Sequence, residues 1–526
     1  MAKRTKPSPE QKAHETTGVP QLDMILGGGL PRGALVLLMG LPGSGKTTLA
    51  SQIAFMAAHA GKRVLILTTF SESTGKLMEH LATFSFYDHA LIGDSVQLFS
   101  LQATLTNGLK ATSAVIVSEA RRFKADIVLL DGFRGMRSVD DQPQAAREFL
   151  YDLGTSLALI GTTTLITSET DPRDPTFFPE TTTADVILGL HYRLTGVRQQ
   201  RGIEVIKARG TTPLAGLHAL VITGDGISVF PQFEERVARD LLAGEEAMQG
   251  GQRTTPEIAP PTLPLQRVAF GLPEFDHMLA GGIPRATCTV LAGSLGTGKT
   301  LLALYFALAG IRLGEPVVFL GFRESRAQLL QVAASFDMAL ELARALAPNG
   351  GLTFFEVPPI KVNPDVIADN LLRAIDAIGA QRVIIDSIAE IEHSIRRNGD
   401  PERIEEYLAA LLLSLRVRQV SGLLLKENDK ALAVTLDFST DALSVLAENV
   451  LLLQQVPYAG ELHRILSIPK LRFTNHDAAL REFRITSPQG IQVLASSESV
   501  AGVLNGITRD QERQQTGRYD AQQQEA

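Results

Sequence analysis

Short, nearly continuous apolar runs alternate along the chain with stretches of helical periodicity. Six of these runs predict β-strands, three in each half: ALVLLMG (34–40), RVLILTT (63–69), DIVLLD (126–131), CTVLAG (288–293), PVVFLG (316–321) and RVIIDS (382–387). The first run leads into a glycine-rich loop, and a helix is expected after this loop, over about residues 46–60. Strands that are apolar on both faces are typical of parallel sheets covered by helices. The pattern therefore predicts an α/β fold with mainly parallel β-sheets flanked by helices.

The pattern also repeats. The segment TTGVPQLDMILGGGLPRGALVLLMGLPGSGKTTLA (16–50) reappears as AFGLPEFDHMLAGGIPRATCTVLAGSLGTGKTLLA (269–303). The two segments share one offset, which places Lys46 of the first opposite Lys299 of the second. A constant offset over a segment of this length indicates two copies of one domain.

The composition between and around the copies sets the expected boundaries. We predict a first domain at 16–248 and a second at 267–496. The stretch 249–266 is rich in proline, threonine and glycine and is predicted to be a linker. Residues 1–15 and the polar, low-complexity segment 497–526 are expected to be flexible.

Composition and charge narrow the class of protein. A chain of 526 residues is too long for a single core. The net charge of −7 argues against broad binding to nucleic acid. No apolar run is long enough for a transmembrane helix and no secretion signal is recognisable, so a cytoplasmic location is expected. Because Cys288 is the only cysteine, neither an intramolecular disulfide nor a cysteine-based zinc site is expected.

Two glycine-rich loops are the clearest functional motifs in the sequence. GLPGSGKT (40–47) and GSLGTGKT (293–300) both fit the P-loop pattern, in which backbone N–H groups and a lysine bind phosphates and a threonine hydroxyl ligates Mg²⁺. A glycine-rich turn without a ligand is the weaker alternative. ATP and Mg²⁺ are thus the expected cofactors, with Lys46 and Lys299 as catalytic groups and Thr47 and Thr300 as metal ligands. The expected nucleotide contacts are Gly43, Ser44, Gly45, Lys46, Thr47, Thr48, Gly296, Thr297, Gly298, Lys299, Thr300 and Leu301.

Four carboxylates follow predicted strands. Asp131 and Asp386 end apolar runs downstream of the P-loops, which is typical of the carboxylate on the magnesium side, although such residues also cap helices. Glu72 and Glu324 each follow the strand after the P-loop helix and are candidate bases for orienting water. The alternative for both glutamates is a favourable charge at a helix N-terminus.

Two pairs of cations recur late in each copy. Lys207 with Arg209, and Lys470 with Arg472, are two residues apart, so each pair leaves one face of a strand. Such pairs suit an anion, but ordinary solvated charge is an equally good interpretation.

Taken together, these motifs resemble the KaiC family, the two-domain RecA-like ATPases of circadian clocks and their relatives. The resemblance covers residues 16–496 and rests on the paired P-loops and on GVPQLDMILGGGLPRG (18–33), ESRAQLL (324–330), VIIDS (383–387) and EVIKARGT (204–211). It implies tandem duplicated RecA-like P-loop domains. It also implies a homohexamer of two stacked rings, with ATP between neighbouring subunits.

Several residue roles come from this resemblance alone. Arg209 and Arg472, with Lys207 and Lys470, would reach ATP on the adjacent protomer as arginine-finger elements. Further positions match family residues that contact the nucleotide or lie beside its base: Thr211, Arg464, Thr474, His476, Thr83, Phe84 and Phe336. A KaiB-like regulatory protein is a candidate partner, and nucleic acid is not expected as one.

The chain departs from the family at the catalytic pair. The family carries two adjacent glutamates and the first is assigned as the base, whereas here the pairs are Ser71-Glu72 and Arg323-Glu324. Arg323 could hold Glu324 ionised, or it could bind phosphate itself. We therefore expect Glu72 to be the working base.

The family's phosphoacceptor region differs as well. Ser444 aligns with the serine of the adjacent Ser-Thr acceptor pair, Val445 replaces the threonine, and Ser439 aligns with a third hydroxyl. Either serine could instead be a cap or turn residue. Autokinase activity in the second domain would thus be weakened.

Three functional hypotheses remain at this point. The first is a KaiC-like hexameric ATPase in clock-like or stress signalling. The second is a RecA- or helicase-like DNA-dependent ATPase, which the acidic balance and the absence of tryptophan disfavour. The third is a nucleotide-gated scaffold in which hydrolysis is incidental.

Overall fold

A computed structural model describes most of the chain in two compact units, Met1–Arg236 and Val237–Ala526. The described residues are 14–69, 74–137, 143–174, 179–195, 198–250, 266–359, 362–398, 400–427, 442–458, 461–473 and 475–494. Each unit is built around its own nine-stranded sheet.

The first unit begins at a short β-ladder and contains the first P-loop. Its strands are β1 (His14–Glu15), β2 (Leu30–Pro31), β3 (Leu35–Gly40), β4 (Val64–Thr68), β5 (Val96–Ser100), β6 (Ile127–Asp131), β7 (Thr163–Ser168), β8 (Val186–Thr195), β9 (Arg198–Ala208), β10 (His218–Thr223) and β11 (Gly226–Phe230). Its helices are α1 (Leu22–Ile25), α2 (Lys46–His59), α3 (Thr74–Leu81), α4 (Gln102–Leu105), α5 (Leu109–Phe123), α6 (Phe133–Arg137), α7 (Pro143–Leu159) and α8 (Pro179–Thr183), and α9 (Phe233–Gly250) follows at its end.

The second unit repeats this order of strands, with small differences in the helices between them. Its strands are β12 (Arg267–Val268), β13 (Ile283–Pro284), β14 (Cys288–Gly293), β15 (Val317–Gly321), β16 (Leu352–Glu356), β17 (Arg382–Asp386), β18 (Ser421–Glu427), β19 (Asn449–Tyr458), β20 (Glu461–Leu471), β21 (Arg481–Thr486) and β22 (Gly490–Val493). Its helices are α10 (Pro273–Met278), α11 (Lys299–Arg312), α12 (Arg326–Ala334), α13 (Ala339–Ala345), α14 (Pro364–Ile378), α15 (Ile388–Arg397), α16 (Arg403–Val417) and α17 (Ala442–Leu446).

The two large sheets have the same topology. The strand order is β5-β4-β6-β7-β3-β8-β9-β10-β11 in the first and β16-β15-β17-β18-β14-β19-β20-β21-β22 in the second. Pairing is parallel from the first strand to the sixth in each order, and antiparallel beyond it. The predicted fold, two copies of an α/β domain with mainly parallel sheets, is confirmed.

The apolar strands are buried on both faces, which explains their unbroken hydrophobicity. In β3, Val36 and Leu38 belong to one core, whereas Leu35, Leu37 and Met39 belong to the core on the opposite face. Successive side chains of a strand point to opposite faces, so a strand covered on both sides needs an apolar residue at every position.

The repeated segment ahead of each P-loop strand has a structural role. The Asp276 carboxylate accepts hydrogen bonds from the backbone N–H groups of Phe270, Gly271 and Leu272, at 2.7 to 3.1 Å. In the first unit, Asp23 accepts a 2.9 Å bond from the N–H group of Thr17. These carboxylates satisfy N–H groups of the turn before α1 and α10, and so fix the path of the chain into the sheet.

The domain boundaries remain predictions. His14 and Glu15, just before residue 16, pair with β2, and α9 continues to Gly250, past residue 248. Most of the predicted linker and the two predicted flexible ends lie outside the described residues. Among the helices that the structure describes, none is long and apolar enough to cross a membrane.

Candidate functional site

Both P-loops connect a central strand to the buried helix that follows it. Gly45 and Gly298 immediately precede these helices and have φ angles of 103° and 93°. A Cβ atom at Gly298 would lie 2.5 Å from Cδ1 of Ile485. The backbone conformation favours glycine at this position, and a larger residue would also displace the end of the Ile485 side chain. The predicted contacts Ser44, Thr48, Thr297 and Leu301 have buried side chains.

The P-loop lysines turn back over their own loops. Lys46 Nζ donates a 3.0 Å hydrogen bond to the carbonyl of Leu41, and Lys299 Nζ donates to the carbonyls of Gly293 and Ser294 at 2.9 and 2.8 Å. Burial lowers the pKa of both lysines. A buried ammonium group at the N-terminus of a helix is well placed to attract an anion.

The predicted metal-side residues lie together in both units. Thr47 Oγ1 donates a 3.1 Å hydrogen bond to Asp131 Oδ1, and Thr300 Oγ1 donates a 2.8 Å bond to Asp386 Oδ2. A hydroxyl and a carboxylate are oxygen ligands of the kind that Mg²⁺ prefers. Within the described ranges, no group of three or more His, Cys, Asp or Glu side chains could hold a metal. A magnesium site here would therefore need nucleotide phosphates and water as further ligands.

Burial dominates the electrostatics of the two aspartates. It raises the pKa of Asp131, and it raises the pKa of Asp386 to about 6, where the nearby Glu324 carboxylate also contributes. Glu324 thus lies close enough to Asp386 for their charges to interact, as expected for a group beside the phosphate site. Glu72, its counterpart, lies outside the described residues.

Arg323 bonds to two other carboxylates. Its guanidinium donates to Glu390 Oε1 at 3.0 Å and to Glu427 Oε2 at 2.8 Å. These bonds do not involve Glu324, the adjacent carboxylate that the sequence suggested as its partner.

Sequence analysis missed a recurrent glutamate beside the P-loop. Glu427 ends β18 and pairs with Gly293, the first P-loop glycine, and Glu169 directly follows Ser168 at the end of β7. The charge of each glutamate opposes the lowering of the P-loop lysine's pKa by burial. A signal was present, because both apolar runs, TLITSE and GLLLKE, end in glutamate at matching places.

The lysines and the arginines of the predicted cationic pairs have different surroundings. The ammonium groups of Lys207 and Lys470 bind backbone carbonyls at short helices of their own units. The acceptors are Thr181 and Thr182 for Lys207, and Ser444, Val445 and Ala447 for Lys470.

The arginines of these pairs lie at the surface of their units. Arg209 is 61% exposed, with Nη1 at 3.5 Å from Asp185, and Arg472 is exposed. The lysines therefore stabilise their own domain, and the arginines remain accessible to another molecule.

A second pair of arginines contacts the P-loops directly. Arg464 Nε lies 3.5 Å from the carbonyl oxygen of Gly296, and Arg201 Nε donates a 3.2 Å bond to that of Gly43. Arg201 was not among the predicted residues, although it precedes Arg209 by the same interval that separates Arg464 from Arg472.

The remaining predicted residues that the structure describes have contacts or burial unrelated to the P-loop bonds above. Phe84 stacks on Phe86 with ring centroids 5.3 Å apart, Thr83 donates to the carbonyl of His80, and Phe336 packs on the core of the second unit. Half-buried side chains are found at Thr211 and His476, whereas Ser444 in α17 is buried. Thr474 and Ser439 lie outside the described residues.

The pKa of Asp386 predicts a pH-dependent cost in stability. Because the folded-state pKa is near 6 and the ordinary value is 3.8, this carboxyl favours folding at low pH, and that contribution is lost as the pH rises through about 6. With divalent cations chelated, Asp386→Asn should stabilise the second unit by about 3 kcal/mol at pH 8, and by little below pH 4. Urea unfolding across this range would measure it, with Asp337→Asn at an exposed position as control. A stabilisation that does not change with pH would contradict the assignment.

Comparison with known proteins agrees with this geometry. The family model described as "ATPase: KaiC" matches residues 15–234 and 268–498. The chain is 27% identical over 502 residues to the circadian clock oscillator protein KaiC of Parathermosynechococcus lividus, covering 93% of this chain and 87% of the relative. It is 26% identical to KaiC 1 of Synechocystis sp. over 93% of this chain and 91% of the relative, and 27% identical to KaiC of Thermostichus vulcanus over 94% and 93%. The chain belongs to the KaiC family of ATPases and carries its domain twice.

Proposed function

We propose that the protein is a magnesium-dependent ATPase that forms a double-ring hexamer, with hydrolysis carried mainly by the first domain. The observation that carries this proposal is the joint arrangement of a buried P-loop lysine and a hydrogen-bonded threonine–aspartate pair in both units. Each arrangement supplies a cation for phosphate and two oxygens for Mg²⁺.

The chain's own residues would divide the chemistry as follows. Thr47 with Asp131, and Thr300 with Asp386, would hold Mg²⁺, which neutralises charge on the phosphates when bound. Lys46 and Lys299 would bind the phosphate oxygens. Once ATP arrives, each lysine would exchange its loop carbonyl for a stronger, charge-assisted bond.

The two domains differ in the group available to orient water. Glu72 follows Ser71, so no cation is adjacent to it in sequence. Glu324 follows Arg323, a cation that is held beside the second site by Glu390 and Glu427. These surroundings favour Glu72 as the working base.

Assembly would complete each site from a neighbouring subunit. Arg209 and Arg472 are exposed near the ends of long strands, which leaves them accessible to a nucleotide held by another protomer. The relatives are named as circadian clock oscillator proteins, and on that likeness we place the protein in clock-like or stress regulation, with a KaiB-like protein as a candidate partner.

Replacing each proposed base should show how much each domain contributes to ATP turnover. Glu72→Gln should lower ATP turnover by roughly 100-fold, because general-base assistance typically contributes that much or more. Glu324→Gln should lower it by less than about 2-fold if the first domain carries most of the hydrolysis. Steady-state phosphate release under saturating ATP would measure both.

Glu79 on α3 provides the matched control, since it is exposed and follows Glu72 closely in the sequence. Glu79→Gln should leave turnover unchanged. If neither Glu72→Gln nor Glu324→Gln lowered turnover while ATP still bound, a nucleotide-gated scaffold with incidental hydrolysis would be the better description.

We also propose that any autokinase activity is weak and confined to Ser444. This serine is 5% exposed and Lys470 binds its carbonyl, so phosphoryl transfer would require α17 to move. Phosphopeptide mapping after incubation with ATP should show only trace phosphate at Ser444. Stoichiometric phosphate at this position would overturn the proposal that the kinase activity is weakened.

A further inference from the structure

Arg323 spans the carboxyl edge of the sheet in the second unit. It lies two residues beyond the end of β15, yet its Nη1 group bonds to Glu427 at the end of β18. The strand order places β17 between these two strands. Because neighbouring strands lie about 4.8 Å apart, the arginine bridges roughly two strand spacings, over the end of β17 that carries Asp386.

This bridge lies beside the P-loop lysine. The pKa of Lys299 is lowered by burial, and it responds to the charges of Glu427, Asp386 and Arg323. Glu427 pairs in the sheet with Gly293, the first P-loop glycine, and the carbonyl of Gly293 accepts a 2.9 Å hydrogen bond from Lys299 Nζ. The guanidinium bound to Glu427 therefore lies beside the loop in which Lys299 would bind a phosphate.

The two carboxylates that hold Arg323 differ in burial. Glu390, on α15, has a side chain 9% exposed, accepts a hydrogen bond from Nε at 3.0 Å and forms an ion pair with Nη2 at 2.9 Å. Glu427 is 25% exposed and accepts only from Nη1. Removing the partner of a buried carboxylate is costly, whereas a more exposed carboxylate can be hydrated instead. The bond to Glu427 is therefore the one that can be exchanged.

We propose that Arg323 is a γ-phosphate-binding residue of the second nucleotide site, held on Glu390 through Nε and Nη2, with Nη1 exchanging Glu427 for the γ-phosphate. Guanidinium binds phosphate oxygens through strong charge-assisted bonds. The added negative charge of the γ-phosphate also repels Glu427, which favours the exchange. ADP lacks this group, so Arg323 makes the second site selective for ATP over ADP. The inference rests on the proposed function, in that ATP must bind at the second P-loop.

The first unit provides an internal contrast. Glu169 occupies the place of Glu427, but position 71, which matches Arg323, is a serine. The first site therefore lacks this arginine, and Arg323→Ser converts the second site to the residue that the first site carries.

Nucleotide affinity at the second site tests the proposal. In a Lys46→Ala background, which removes the nucleotide-binding lysine of the first site, calorimetry would give the Kd of a non-hydrolysable ATP analogue and of ADP. Arg323→Ser should weaken binding of the analogue by roughly 10- to 100-fold, as expected for loss of a hydrogen bond between charged groups, and leave ADP binding unchanged. Glu427→Gln should have the opposite effect and tighten binding of the analogue, because it removes the competitor for Arg323.

Arg326→Ser is the matched control, since this arginine begins α12 and donates to the carbonyl of Leu346. It should change neither Kd. A second measurement uses the protein with Lys46 intact. After gel filtration, the Arg323→Ser variant should retain one fewer analogue molecule per chain than the unsubstituted protein.

Three results would overturn the inference alone: equal weakening of both nucleotides by Arg323→Ser, no change in either, or weaker analogue binding in Glu427→Gln. A different result would refute the underlying function as well, namely that the second P-loop binds neither nucleotide with Lys46 intact.

Discussion

The hydrogen bond between each P-loop threonine and the aspartate at the end of a nearby strand is the interaction on which both sites depend. It connects the first turn of the P-loop helix to the sheet through Thr47 and Asp131, and again through Thr300 and Asp386. Both carboxylates are buried, so each needs a polar partner. The bond therefore holds the two proposed magnesium ligands side by side on rigid elements, which limits the reorganisation that binding would require.

The local chemistry could be predicted from the sequence, but the choice among competing partners could not. The strands around β3 and β14 follow from runs that are apolar at every position, and the P-loop glycines follow from a conformation that other residues rarely adopt. The pairing of Arg323 with Glu390 and Glu427 does not follow in this way. Those residues are far apart in sequence, and only the order of strands in the sheet brings them together. Glu72 and Ser439 remain predictions, since the structure does not describe them.

The two copies share a scaffold and differ in the charges placed on it. Both keep a lysine, a threonine, an aspartate and a strand-end glutamate around the P-loop. In the second, Arg323 also extends across the edge of the sheet and is held by a buried glutamate on α15, whereas the matching position 71 of the first is a serine. A duplicated fold allows such divergence because the sheet fixes the positions, whereas exposed strand-end residues can change with little effect on the core. We infer that the first site is suited to turnover and the second to retention of ATP.

In the proposed hexamer, ATP would bind between subunits and residues of both subunits would complete each site. Mixing two inactive variants tests it most directly: Glu72→Gln/Glu324→Gln, which lacks the proposed bases, and Arg209→Ala/Arg472→Ala, which lacks the proposed trans-acting arginines. In a ring with one kind of interface, about one interface in four of an equimolar mixture contains both intact groups. Turnover should therefore return to about a quarter of the unsubstituted value. Mixed hexamers, identified by mass tags, that remain as inactive as their parents would contradict it.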